Sequence, residues 1–147
     1  MTERYVHPHA ELSLTVPAPF VLLEEEVDRA VLALDATGNP TLIVTIEEVF
    51  PDTTADELAD GGLGALAGEL AAFHVLDRAH AGLDGQMGVR TLSHHVADGR
   101  GMTLEQWRVA ADGQGLTLSG SCQTLDYPIV ADLFSAAAER LAREPSS

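Results

Sequence analysis

The sequence predicts an α+β fold, an antiparallel β-sheet covered by amphipathic helices in an α/β/α sandwich. Apolar residues recur with period two in several short runs separated by turn formers, which marks consecutive hairpins. Two stretches instead carry apolar residues at three- and four-residue steps and must lay a helical stripe on that sheet. At 147 residues the chain suits one domain with a real core.

From Glu11 to Val16, Leu12, Leu14 and Val16 alternate with Glu11, Ser13 and Thr15, the pattern of a half-buried strand closed by Pro17 and Pro19. Ala30–Leu34 and Thr41–Phe50 flank the turn-rich segment Asp35-Ala36-Thr37-Gly38-Asn39-Pro40 and predict a hairpin. Pro51 stops the second strand. Thr54 and Glu57 have capping-box spacing, and Leu63, Leu66, Leu70 and Phe73 continue as one helical stripe. Gly61, Gly62, Gly64 and Gly68 interrupt it, each at about 1 kcal/mol relative to Ala, so this helix leans on tertiary packing or breaks near Gly61.

His74–Ala79 reads as a strand. Gly88–Val96 and Met102–Ala111 pair across Asp98-Gly99-Arg100-Gly101, a strong hairpin signal. Met102 and Leu104 are out of phase with Trp107 and Val109, which predicts a bulge near Glu105 or Gln106. After the turn Asp112-Gly113-Gln114-Gly115, Leu116, Leu118, Gly120 and Cys122 alternate with Thr117, Ser119 and Ser121, whose small polar face lies in solvent or under a helix. Asp126 caps a last helix with Pro128 in its first turn. Ile129, Val130, Leu133, Phe134, Ala137 and Leu141 form its apolar face, and Arg140 and Arg143 suit its C-terminal dipole. Residues 1–10 and 144–147 are expected to be flexible ends of a single domain spanning 1–147.

Twenty-three Asp and Glu against eight basic residues give a formal net charge of −15, which disfavours nucleic acid and anionic membranes as partners. No apolar run follows a positive start, so no secretory signal is read; one cysteine, Cys122, fits a reducing compartment. The expected location is cytoplasmic.

Candidate chemistry is sparse. His7 and His9, His94 and His95, and His74 and His80 are three histidine sets. Neighbours on a strand point to opposite faces, and a six-residue offset is too long for joint ligation. No metal site and no cofactor are predicted. Ser119, Ser121 and Cys122 carry no nucleophile-elbow motif, and Cys122 falls on the apolar phase of its strand. Gly61-Gly62-Leu63-Gly64 lacks the Lys of a phosphate loop, and Asp52, Asp56 and Glu57 lack EF-hand spacing. Glu24-Glu25-Glu26 and Glu47-Glu48 read as solvated acidic surface. Phe73, Trp107 and Phe134 are the candidate lining of an apolar pocket between sheet and helix, the alternative being that the aromatics are the core itself.

The order of elements resembles the superfamily of the photosystem II extrinsic protein PsbP, the DcrB proteins and the LpqN-type lipoproteins. The residues that carry the resemblance, between Leu12 and Leu141, are Val16-Pro17 before Phe20, the strand Leu42 to Glu48, the Thr54 helix, Leu104-Glu105-Gln106-Trp107, and Cys122-Gln123-Thr124-Leu125-Asp126-Tyr127 entering the last helix. It implies an α/β/α sandwich acting as a non-enzymatic binding or chaperone-like module, with relatives that serve as secretion-effector chaperones or bind a small GTPase. The expected partner is a protein, basic or apolar given the charge, and a homodimer through a sheet edge is a further expectation. The alternatives are a carrier of a small apolar ligand and an enzyme using His94 or His95.

Overall fold

The computed structural model describes residues 2–7, 12–17, 20–26, 29–33, 41–141 and 143–145, with side chains at Phe20 and 41–141. The predicted turn at 35–40, His9, and the side chains of His7 and Glu24–Glu26 lie outside that description. Among the described residues the elements follow in the order β1 (Thr2–His7), β2 (Leu12–Pro17), β3 (Val21–Glu26), β4 (Arg29–Ala33), β5 (Thr41–Glu48), α1 (Ala55–Glu69), β6 (Ala71–Leu83), β7 (Gln86–Ala97), β8 (Arg100–Ala111), β9 (Gln114–Gln123), a 3₁₀ turn (Thr124–Asp126), α2 (Tyr127–Arg140) and β10 (Arg143–Pro145). Seven strands form an antiparallel sheet in the order β3-β4-β5-β9-β8-β7-β6, and β1-β2-β10 form a smaller one. The expected α+β sandwich is what the chain adopts.

Three tight turns fix the register of the large sheet. Asp84-Gly85, Asp98-Gly99 and Asp112-Gly113 each place both residues at positive φ, the backbone that matches the right-handed twist of two-residue hairpins. Because β8 pairs with β7 and β9 without interruption, opposite faces of the sheet can be read by parity. Gly120 faces Phe134 of α2, and Gly115 and Arg108 face Leu58 and Gly62 of α1. One helix therefore covers each face.

The two faces differ in chemistry. Under α2 lie Leu42, Val44, Ile46, Trp107, Val109, Leu116, Leu118 and Cys122, closed by Val130, Phe134, Ala137, Ala138 and Leu141. Phe134 is fully buried and presses on Gly120, where a Cβ would stand 2.8 Å from its ring. Under α1 the buried side chains include Thr91, Ser93, His95, Gln106, Arg108 and Thr117, and the helix itself buries only Leu58 and Ala59.

Several expectations are corrected. β8 has no bulge at Glu105 or Gln106; its change of phase arises because both faces are covered, Leu104 on the α1 side and Trp107 and Val109 on the α2 side. The register shifts of the sheet lie elsewhere, in β6 at Ala71/His74 and Val75/Asp77 and in β3 at Leu22/Glu24. Helix α1 runs unbroken past Gly61 but ends at Glu69, so Phe73 belongs to β6. Strands β1 and β10 lie at the two ends of the chain, and Arg143 falls in β10, just beyond the end of α2. The acidic run Glu24–Glu26 falls in β3. The capping box is present, with Thr54 N–H donating to Glu57 Oε1 at 3.0 Å and Glu57 N–H to Thr54 Oγ1 at 3.1 Å. Asp126 is the N-cap of α2 without a side-chain capping bond, since the 3₁₀ turn leaves it in a helical conformation.

Candidate functional site

The end of the sheet where β7 turns into β8 gathers the most accessible apolar surface. The 3₁₀ turn leaving β9 folds back over this end, tied by Thr103 Oγ1 to Thr124 Oγ1 at 3.0 Å. That turn lifts Leu125 clear of the core at 89% exposure, and Ile129, one helical turn later, stands at 77%. Val96 is exposed on the adjoining end of β7, and Val75 and Leu76 on β6. Among the described residues, only Phe50 and Met87 are large exposed apolars toward the opposite end.

Two cavities open here and share Arg100 and Gln123. One, of about 500 Å³, is lined by Thr41, Ala97, Asp98, Arg100, Met102, Ser121 and Gln123. The other, of about 410 Å³, is lined by His94, Arg100, Gly101, Gln123, Thr124 and Leu125. Arg100 thus stands between two recesses beside an exposed leucine, an arrangement of apolar anchor and charged neighbour that suits docking of a polypeptide.

The proposed pocket aromatics are not gathered there. Trp107 and Phe134 belong to the core under α2, while Phe73 is half-buried in β6 and outside that core. None of the three lines the two Arg100 recesses or the cavity at Glu48, Val49, Phe50 and Thr53.

His94 and His95 point to opposite faces of β7, as their adjacency requires. His95 is buried on the α1 side, and burial followed by the charge of His94 holds its pKa below the usual value. Cys122 is fully buried, and burial pushes its thiol up to about 11, which leaves it protonated and unreactive at neutral pH. Of the acidic trio Asp52, Asp56 and Glu57, Asp56 pairs with Arg78 at 3.0 Å and Glu57 is spent in the capping box. Among the described residues no group of three or more His, Cys, Asp or Glu gathers as for a metal, and no helix is long and apolar enough to cross a membrane.

Two buried charges were not singled out by sequence reasoning. On the α2 face Glu105, 1% exposed, accepts from Arg90 Nε at 2.6 Å, and Arg90 reaches Asp77 at 3.2 Å. Burial opposes the Arg90 charge, yet the hydrogen bond and charge of Glu105 outweigh it and raise the guanidinium. Burial and the same carboxylate push the Tyr127 phenol up. On the α1 face Arg108, 4% exposed, donates to Gln106 Oε1 at 2.9 Å and to Thr91 Oγ1 at 3.5 Å. With no carboxylate paired to it among the described residues, burial pulls it down to about 10.

No family profile matches the chain, and no curated protein matches its sequence. Solved structures do share its fold. LpqN of Mycobacterium tuberculosis, involved in cell envelope biogenesis, superposes with a TM-score of 0.71 at 19% identity over 99% of this chain and 91% of that one. Cyanobacterial PsbP of Synechocystis gives 0.69 at 15% identity over 97% and 92%. The Ran-binding protein Mog1p of Saccharomyces cerevisiae gives 0.67 at 11% identity over 100% and 96%. The expected PsbP/LpqN type of fold is therefore established, and at these identities the likeness concerns the fold alone.

Proposed function

We propose that this chain is a non-enzymatic protein-binding module that docks its partner on the β7–β8 end of the sheet. The observation that carries this reading is the exposed pair Leu125, on the 3₁₀ turn beside the Arg100 recesses, and Ile129, on the outer side of the first turn of α2. Exposed apolar side chains gathered in this way serve association rather than folding. The fold shared with a Ran-binding protein supports a protein as the partner. A formal charge of −15 favours a partner whose contact surface is apolar with a basic rim. The inert Cys122 and the opposed His94 and His95 weigh against catalysis.

The test is affinity capture from the native host with the wild-type chain and with a Leu125→Asp, Ile129→Asp double variant. The wild type should recover a stoichiometric protein that the variant loses, while circular dichroism and thermal midpoint stay unchanged, because both side chains are exposed. Equal recovery of that protein by the variant would place the docking surface elsewhere. Turnover of a metabolite by the pure protein would refute the non-enzymatic reading.

A further inference from the structure

Strand β6 is bulged twice near its start, and Ala72, between the bulged pair Ala71 and His74, holds a left-handed φ of 54°. Backbone in that region is costly for a residue with a side chain and needs a local reason. Its carbonyl oxygen lies 3.1 Å from Nδ1 of His74. A ring whose Nδ1 donates to a backbone carbonyl presents Nε2 as a free lone pair, the tautomer found in metal-ligating histidines.

The second bulge sets what His74 faces. In the regular part of the hairpin Leu83 pairs with Gln86 and Asp77 with Leu92, and beyond the bulge His74 pairs with His94. Both rings stand on the α2 face at its edge, their centres 5.4 Å apart and tilted by 45°. Metal–nitrogen bonds of about 2.1 Å at a tetrahedral angle place two imidazole centres roughly 5 Å apart. Nδ1 of His94 is buried and has no hydrogen-bond partner, an expense that a bound cation would remove.

We propose that His74, through Nε2, and His94, through Nδ1, form a two-histidine chelate for a borderline divalent cation of the Zn²⁺, Ni²⁺ or Cu²⁺ kind. Imidazole nitrogen suits these ions, whereas Mg²⁺ and Ca²⁺ prefer oxygen. Water completes the coordination shell, since no third ligand of the usual types joins the pair among the described residues. His94 also lines the smaller Arg100 recess, so the chelate borders the proposed docking surface, although it rests on the ring geometry alone.

The test is a zinc titration of the whole chain near pH 7.5, read by imidazole ¹H–¹⁵N correlation spectra that resolve all six histidines. His74 and His94 should shift first and together. The dissociation constant should rise at least tenfold in His74→Asn and in His94→Asn, and stay within twofold in His80→Asn and in a His7→Asn, His9→Asn double variant. Should either single variant fail to fold, the order of shifts in the wild-type spectra decides. Zinc that moves His7, His9 or His80 first, or moves no imidazole at about millimolar concentration, overturns the proposal.

Discussion

Gly62 is the position at which the packing of α1 can be tested most sharply. Four glycines lie in this helix, and a Cβ at Gly61, Gly64 or Gly68 would meet nothing within 4 Å. Alanine at each of the three should stabilise the protein by about 0.8–1.0 kcal/mol through helix propensity alone. At Gly62 the new carbon would stand 2.6 Å from Nη2 of Arg108 and 2.9 Å from its Cζ. The guanidinium must then retreat, lengthening bonds to Gln106 and Thr91 that hold a buried charge. Hydrogen bonds to a charged group contribute about 1.5–3 kcal/mol, and overpacking costs about 1–3 kcal/mol. The propensity gain is cancelled or exceeded, so Gly62→Ala should fall about 1–3 kcal/mol below Gly61→Ala in stability. Urea unfolding with a constant m-value measures the difference, and at this chain length it corresponds to roughly 3 °C of Tm per kcal/mol. Arg108→Met removes the obstructing group, so Gly62→Ala should become stabilising in that background, a coupling within the range for residues in contact. Gly62→Ala as stabilising as Gly61→Ala in the wild type would show that Arg108 does not lie against the helix.

Two other predictions concern buried ionisable groups. Glu105→Ala should cost about 3–5 kcal/mol in urea unfolding, because it leaves Arg90 without its buried counter-charge; a cost below about 1 kcal/mol would mean that water reaches this pair. His95 has a folded pKa below its unfolded value near 6.5, so as pH falls through 6.5 the unfolded chain takes up a proton that the folded chain refuses. Stability should therefore fall below pH 6.5 and level off beneath the folded pKa, and His95→Gln should flatten this part of a Tm-against-pH curve; an unchanged slope would assign it to another group.

The parts of the fold legible in the sequence are those fixed by short-range chemistry. Thr54 and Glu57 mark the start of α1 because a capping box needs only four residues, and Asp98-Gly99 marks a hairpin because few dipeptides tolerate two positive φ values. What was missed depends on longer-range facts. The phase change in β8 signals a bulge only if one face is wet; with a helix on each face, both phases are buried and the strand stays regular. Asp84-Gly85 is the same kind of turn and was available as a signal, yet extrapolating its register without interruption sets His74 opposite His95. The extra residue at Leu76 moves His74 opposite His94, and nothing in the local sequence announces that bulge. Arg90 and Glu105 are fifteen positions apart on neighbouring strands, so their pairing waits on β7–β8 register. The proposed docking surface was invisible for a different reason: Ile129 fits a helix's apolar face by spacing, but the buried stripe of α2 runs through Val130, Phe134, Ala137 and Ala138 and leaves Ile129 outward, while Leu125 sits on the 3₁₀ turn before the helix.

The polar layer beneath α1 bears on how the protein survives partial opening. Helix α1 itself buries only Leu58 and Ala59, and the sheet face it covers is largely polar, with Thr91, Ser93, Gln106, Arg108 and Thr117 beside the aliphatic Val89 and Leu104. Its detachment forfeits little hydrophobic free energy and lets water solvate groups that were only partly satisfied, whereas release of α2 would bare Trp107, Leu118 and Phe134. Amides of α1 should accordingly exchange with solvent hydrogen well before those of α2, and equal protection of the two helices would refute the asymmetry. In a host at elevated temperature the first segment to come loose would thus expose a wettable surface, and the chain could reclose without presenting an adhesive face to its neighbours.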